Sequence, residues 1–222
     1  MDRITILSNT ATKIAALRVV PRTATQPPEE APPKRRRHKR DEPPYLSFEE
    51  VERLFKAIES PRDRAIFRVS YHAGLRASEV GRLELRDYNA KTERIYVHRL
   101  KRPNSGEHHL CREESKALRA WLKQRGGVPG AIFLSNRRSP IRRSMLDVLM
   151  KKYGTWAGIP PELCHFHILK HPCAIHLMSK GFHPDQVQDW IGHANIQNTM
   201  IYARTTNVRR DEMAEQLRDT WR

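Results

Sequence analysis

From residue 47 onward the apolar residues of this chain follow a helical spacing, with a single break to strand-like alternation. The segment Ser47-Phe-Glu-Glu50 has the pattern of a capping box, in which a serine and a glutamate three residues later satisfy the first amides of a helix. Between Thr92 and Leu110 the pattern alternates instead, around a turn at Asn104-Ser-Gly106. The spacing therefore predicts a mainly α fold with a small antiparallel β-sheet, an α+β architecture.

The same periodicity predicts where each element lies. We expect helices from residue 48, from Pro61 toward Gly74, and from Ser78 to about Leu85. Further helices are expected over residues 112–125, 142–153, 167–180, 184–191, 195–203 and 207–220. Residues 131–134 are a candidate for an additional strand.

The net positive charge of the chain limits the kinds of partner that it is expected to bind. The 222 residues include 41 Lys and Arg against 25 Asp and Glu, a net charge of +16, which predicts a polyanionic partner, either nucleic acid or an anionic membrane surface. No apolar run approaches the roughly 20 residues that span a bilayer, and the first residues lack the apolar stretch of a secretion signal. Three cysteines are too few for a disulfide framework. We therefore expect a cytoplasmic protein.

The charge divides between two regions. Residues 1–44 hold ten Lys and Arg against five Asp and Glu, a net +5, and residues 45–222 hold a net +11. Residues 21–44 are rich in proline and nearly lack large apolar side chains, which predicts a flexible N-terminal arm. Its basic run, Lys34 to Arg40, is interpreted as a DNA-contacting arm, a nuclear-localisation signal or a solvated charge run. Residues 45–222 are predicted to form the folded domain.

A first cluster of chemically active residues lies between Cys164 and His176. It contains two C-x-x-H pairs, Cys164 with His167 and Cys173 with His176, and such sets are found in tetrahedral zinc sites. However, residues 167–180 are predicted to form one amphipathic helix, on which four ligands have little freedom to converge. The preferred interpretation of Cys173 and His176 is packing, and no metal is predicted.

A second cluster combines a Gly192-His193 turn between two predicted helices with Tyr202, nine residues after the histidine. This spacing puts an imidazole and a phenol within reach of each other. On its own the pattern is weak, because a tyrosine near a helix end is usually half-buried, with its hydroxyl in water.

Taken with the upstream segment Gly74-Leu-Arg-Ala-Ser-Glu79, the two clusters resemble the tyrosine recombinase (phage integrase) family. Residues 45–222 resemble its catalytic domain throughout, with the layout of the short members that invert fimbrial promoters. The resemblance places an active-site arginine at Arg76, supported by the acidic Glu79, and a lysine on the hairpin at Lys101.

The remaining motifs follow in the family's order. The H-x-x-R motif corresponds to His167-Ile-Leu-Lys170, the L-G-H motif to Ile191-Gly-His193, and the nucleophile to Tyr202. The resemblance implies that Tyr202 attacks a DNA phosphodiester and stores the bond energy in a 3′-phosphotyrosine, so that rejoining requires neither ATP nor a metal or other cofactor.

The implied supporting roles follow from the charge of the transition state. Negative charge gathers on the non-bridging phosphate oxygens, where Arg76, Lys170, His167 and His193 are expected to stabilise it. The departing 5′-oxygen needs a proton, which Lys101 is expected to deliver as general acid.

One position departs from the family pattern. Lys170 occupies the place of the second arginine, and an ammonium does not grip phosphate through two parallel hydrogen bonds as a guanidinium does. Losing such a contact costs roughly 10²–10³ in rate at comparable sites. We therefore expect weakened cleavage, and the alternative is a DNA-binding regulator that has lost catalysis. Type IB topoisomerase activity is a third option, which the short chain disfavours.

The resemblance also implies partners. These are double-stranded DNA with specific recombination sites and further copies of the chain, in a homo-tetramer on two paired sites, with the protein associated with the nucleoid. The segment Asn207 to Arg218 is predicted to form a helix that docks on a neighbouring protomer or packs on its own domain.

Overall fold

A computed structural model of the chain describes residues 44–99 and 105–203, together with residues 214, 215, 217 and 218. These residues all belong to one compact unit, Pro32–Arg222. Three predictions fall outside the described residues and stay predictions: the arm up to residue 43, Lys101 with most of the hairpin turn, and most of the helix over 207–220.

The described part of the chain is mainly helical, which confirms the predicted fold class. Its α-helices are α1 (Phe48–Ala57), α2 (Pro61–His72), α3 (Ala77–Val80), α4 (Arg112–Arg125), α5 (Arg143–Trp156), α6 (Lys170–Ser179), α7 (Pro184–Ile191) and α8 (Gln197–Ala203). Short 3₁₀ turns occur at Leu85–Asp87, Pro161–Leu163 and Phe166–Leu169. No helix of the described residues is both long and apolar enough to cross a membrane.

The sheet is small and antiparallel, as predicted. Strands β1 (Tyr88–Asn89), β2 (Arg94–Val97) and β3 (Gly106–His109) pair in the order β1-β2-β3. Ile95 and Val97 are buried while Tyr96 between them is exposed, which is the predicted alternation. Strand β1 has only two residues, too few to produce an alternating pattern in the sequence.

Start signals in the sequence correspond to observed helix ends. At α1 the Glu50 amide donates to the Ser47 hydroxyl and the Ser47 amide donates to the Glu50 carboxylate, so both halves of the capping box are formed. Pro61 lies in the first turn of α2, where its missing N–H costs no hydrogen bond. Helix α4 has the predicted bounds, and α7 also does.

Four predicted helices differ from the structure. Helix α5 ends three residues later than predicted and α8 begins two residues later, and the other two differ more. The helix expected from Ser78 to about Leu85 is shorter, because α3 ends at Val80. The helix expected over residues 167–180 is a 3₁₀ turn followed by α6 from Lys170. Pro172 explains this break, since it has no N–H to donate to the carbonyl four residues earlier.

The additional strand expected over residues 131–134 is also absent from the described sheet. Ala131 and Leu134 form only isolated bridges, to Glu84 and Pro140. The apolar residues between them are buried because they pack into the core as a short irregular segment.

A group of buried residues lies among α6, α7 and α8, beside the main core that includes Leu54, Phe67 and Leu146. It includes Cys173 and Ala174 from α6, Val187 and Ile191 from α7, and Tyr202 from α8. These helices therefore bring the end of the first sequence cluster and the second cluster together in one packed region.

Candidate functional site

Two turns that are far apart in sequence meet at the candidate site. One follows α2 at Gly74, and the other follows α7 at Gly192. Gly74 has a φ of +56°, and a Cβ added there would lie 2.8 Å from Cγ2 of Ile191. The close approach of the two turns thus requires glycine at position 74.

Arg76 lies just after the first turn and reaches the second. Its Nη1 donates to Oε1 of Glu79 at 2.8 Å, and its Nη2 donates to the Gly192 carbonyl at 3.1 Å. Burial alone would raise the pKa of Glu79, but hydrogen bonds from Arg76 and the charge of Arg99 hold that pKa below its ordinary value. An ionised Glu79 therefore orients Arg76, whose side chain keeps about 25% exposure toward solvent.

Arg99 is a site residue that sequence reasoning missed. Its side chain is fully buried and donates to Oε2 of Glu79 at 3.0 Å. It also donates to the backbone carbonyls of Ala73, Gly74 and Trp190, at 2.8, 3.2 and 2.6 Å. A signal existed, because the alternation of Ile95 and Val97 continues inward to residue 99.

Lys170 is almost completely buried beneath the two turns. Its Nζ donates to the Gly74 carbonyl at 3.1 Å and to the Ile191 carbonyl. Burial, together with the charges of Arg76 and Arg99, lowers the pKa of Lys170 to about 7. The residue that replaces the family's arginine thus connects the two turns through their carbonyls.

The hydroxyl of Tyr202 is hydrogen-bonded to a histidine. Tyr202 is 2% exposed, and its oxygen lies 2.7 Å from Nδ1 of His171. Burial raises the pKa of Tyr202 to about 12 and lowers the pKa of His171 to about 4. At neutral pH the imidazole is therefore uncharged, so its Nδ1 can accept the phenol proton. The sequence motifs gave His171 no role, although it directly follows Lys170.

The two predicted histidines lie on either side of this pair. The ring of His193 stacks on Tyr202 at a centroid distance of 6.3 Å, and its Nδ1 is 3.0 Å from the Thr199 hydroxyl oxygen. The ring of His167 packs edge-on against His171 at 5.4 Å. Burial, and next the charge of Lys170, lowers the pKa of both, to about 3 for His193.

The five described residues of the predicted site thus surround one region, at two depths. Arg76 and His167 line an open groove, whose rim also carries the cations Arg143 and Lys151. Lys170, His193 and Tyr202 are buried. The sixth residue, Lys101, lies outside the described residues.

Three of the four residues in the C-x-x-H pairs of the first sequence cluster contact separate neighbours. Cys164 faces the carbonyl of Ile159, with 3.6 Å between sulfur and oxygen. Cys173 lies 3.7 Å from the His72 carbonyl, and Nδ1 of His176 is 2.6 Å from the Tyr71 hydroxyl. Each side chain has its own neighbour, as the packing interpretation predicts.

Gly192 provides a test of how closely the turns are packed. Its φ is +67°, and an added Cβ would lie 2.5 Å from Nε of Arg99, whereas Gly158 has a φ of +66° and no heavy atom within 4 Å. We expect Gly158→Ala to cost about 1–2 kcal/mol from backbone strain. Gly192→Ala is expected to cost about 1–3 kcal/mol more, from overpacking against Arg99. Urea denaturation of both variants measures the difference, and equal costs would contradict the close packing.

Comparison with known proteins relates the sequence of the chain to one family. A model of the phage integrase family matches residues 44–209. The type 1 fimbriae regulatory proteins FimB and FimE of Escherichia coli (strain K12) are 34% and 30% identical to the chain. The FimB match covers 71% of this chain and 82% of FimB, and the FimE match covers 74% and 87%.

A solved structure extends the comparison to the fold. The crystal structure of XerA recombinase superposes with a TM-score of 0.70 at 27% identity, covering 82% of this chain and 66% of that one. This chain therefore spans slightly less than two thirds of the solved XerA chain.

Proposed function

The chain belongs to the phage integrase family, and on that premise we propose that it is a site-specific DNA recombinase that cleaves and rejoins DNA through a 3′-phosphotyrosine. The observation that carries the proposal is the hydrogen bond between the Tyr202 hydroxyl and a neutral His171, next to Lys170 and Arg76. A nucleophile paired with a base beside fixed cations suits attack on a phosphodiester.

Cleavage exchanges one phosphate ester bond for another. The Tyr202 oxygen forms a bond to phosphorus while the bond from phosphorus to the 5′-oxygen breaks. His171 takes the phenol proton, and the 5′-oxygen takes a proton from a general acid, a role we assign to Lys101. The reverse reaction restores the DNA backbone, so the bond energy is conserved throughout.

We propose different roles for the residues at the groove and for the buried ones. Arg76, at the groove, contacts a non-bridging phosphate oxygen and stabilises the charge of the transition state. His167 lies at the same groove and donates there when it carries a proton on the facing nitrogen. Tyr202 is buried, so attack requires its hydroxyl to become accessible from this groove when DNA binds, with the contact to His171 kept.

A trapping assay tests the proposal. Duplexes that the protein selects from a random-sequence pool supply the binding site, and a nick beside the cleaved bond lets the 5′ fragment diffuse away. The wild-type protein is expected to form a complex with this DNA that survives denaturation, and Tyr202→Phe is expected to form none. The absence of an adduct from the wild type on every selected duplex would contradict the proposal.

A second candidate function is a DNA-binding regulator on the same scaffold. It is favoured by one observation, the burial of Lys170 with its Nζ donating to two backbone carbonyls. Both candidates bind DNA in a salt-sensitive manner, since contacts between cations and phosphates release counterions. Only the recombinase forms a covalent adduct, so the same assay separates them.

We also propose how the protein assembles on its DNA substrate. The substrate is double-stranded DNA that carries two paired sites, bound in the cytoplasm by four copies of the chain. The net charge of +11 on residues 45–222 supplies the general attraction to DNA.

The lowered pKa of Lys170 predicts a pH dependence. The charged form adds positive charge beside Arg76, which we propose contacts the phosphate. Since the pKa of Lys170 in the free protein is about 7, the charged fraction falls as pH rises through 7. We expect kcat/KM for cleavage, which reports the free enzyme, to fall about tenfold per pH unit above that point. Lys170→Arg is expected to remove this decline, since a guanidinium keeps its charge, and to raise the rate at pH 7.

The control is Lys180→Arg, which alters an exposed lysine that ends the same helix. This variant is expected to keep the wild-type profile. An identical decline in Lys170→Arg would show that another group titrates.

A further inference from the structure

Three side chains with metal-ligating atoms meet where α2 ends and α4 begins. His72 is the last residue of α2, Cys111 is the N-cap of α4, and Glu114 lies in the first turn of α4. One ligand atom from each lies within 4.8 Å of the other two. We propose that His72, Cys111 and Glu114 form a zinc-binding site, separate from the catalytic groove.

The hydrogen bond of His72 leaves the correct nitrogen available. The Nε2 atom lies 2.8 Å from the carbonyl oxygen of His109, which can only accept, so Nε2 carries the proton. The lone pair is therefore on Nδ1, which faces Oε2 of Glu114 at 4.0 Å. A histidine that donates one ring N–H to a backbone carbonyl is the usual arrangement at metal sites, because it orients the other nitrogen.

The backbone and ring of His72 are also held in place. Its carbonyl accepts a hydrogen bond from the Trp190 indole at 2.7 Å, and the two rings pack edge-on at 5.5 Å. The imidazole is thereby positioned before any metal arrives, which lowers the entropic cost of binding.

Glu114 and Cys111 complete the donor set from one helix turn. Glu114 is 8% exposed, and its other oxygen, Oε1, lies 3.7 Å from Nη1 of Arg68. Arg68 thus holds one carboxylate oxygen while the second faces His72. Cys111 is a free, exposed thiol, so the site opens to solvent on the sulfur side.

The distances and donors suit zinc. Bond lengths of about 2.0–2.3 Å give tetrahedral edges of about 3.3–3.7 Å between ligand atoms, so side-chain movements of about 1 Å close the site. Nitrogen, thiolate sulfur and carboxylate oxygen together are typical zinc ligands, whereas magnesium and calcium prefer oxygen alone. With three protein ligands and an open side, water takes the fourth position.

Cobalt(II) serves as a coloured probe of this site in the full-length protein. The wild type is expected to develop a thiolate-to-cobalt absorption band that saturates near one equivalent and disappears when Zn²⁺ is added. Cys111→Ser is expected to lose the band. Serine is a preferred N-cap residue, so this variant keeps α4 and its circular dichroism spectrum remains that of the wild type.

Two further variants sharpen the result. Cys164→Ala removes a buried thiol elsewhere and is expected to keep the band. Glu114→Gln is expected to need at least about tenfold more cobalt for half-saturation, because a neutral amide is a weaker ligand than a carboxylate. Absence of the band in the wild type, or its persistence in Cys111→Ser, would overturn the proposal.

Discussion

Replacing His171 by alanine will lower the rate of DNA cleavage by about 10²–10⁴-fold, the usual contribution of a positioned general base. The reason is the 2.7 Å contact between Nδ1 of His171 and the hydroxyl of Tyr202. With a pKa of about 12, that hydroxyl is protonated at neutral pH, so it needs a proton acceptor as it attacks. Single-turnover cleavage of nicked duplexes measures the effect.

The chain offers a matched control on the same helix. His176 accepts an equivalent contact, 2.6 Å from the Tyr71 hydroxyl, away from the catalytic groove. Its replacement by alanine removes a histidine–tyrosine pair of the same kind and is expected to leave cleavage near the wild-type rate. Equal losses in the two variants would show that His171 acts through the stability of α6 rather than on the nucleophile.

Replacing Arg99 by methionine will destabilise the fold by about 3–5 kcal/mol, the cost of breaking a buried ion pair. Glu79 would keep its contacts with Arg76 but lose its buried partner, and three carbonyls, of Ala73, Gly74 and Trp190, would lose a donor. Urea denaturation followed by circular dichroism measures the loss.

Arg94→Met is the control, because Arg94 belongs to the same β-hairpin and pairs with an exposed glutamate, Glu107, at 3.5 Å. An exposed pair contributes less than about 1 kcal/mol, so this variant is expected to remain nearly as stable as the wild type. A loss below about 1 kcal/mol in Arg99→Met would contradict the role assigned to the buried guanidinium.

Local signals in the sequence predicted most of the fold. Helix α4 lies where it was predicted, because its apolar residues follow a helical spacing, and Gly126 ends the helix with a φ of +81°. Helix α6 was predicted to begin three residues too early, because periodicity continues across the 3₁₀ turn before Lys170. A prediction from apolar spacing does not detect that Pro172 lacks the N–H of a helical hydrogen bond.

The sequence motifs predicted a set of candidate site residues but not their geometry. Arg76, Lys170, His193 and Tyr202 were predicted because each occurs in a short local pattern. The acceptors of Lys170, by contrast, are backbone carbonyls at residues 74 and 191, whose positions depend on how α2 and α7 pack. The contact between His171 and Tyr202 also depends on packing, because the two residues are 31 apart in sequence and lie on different helices, α6 and α8.

The central claim is that Tyr202 becomes covalently joined to DNA, and peptide mapping of the trapped adduct tests it most directly. The complex formed on nicked duplex is digested with protease, and the peptide that carries nucleotides is sequenced by mass spectrometry. The account predicts a single modified peptide, with the 3′-phosphate on Tyr202. Attachment at any other residue, or a wild-type protein that binds the duplex without becoming attached, would contradict it.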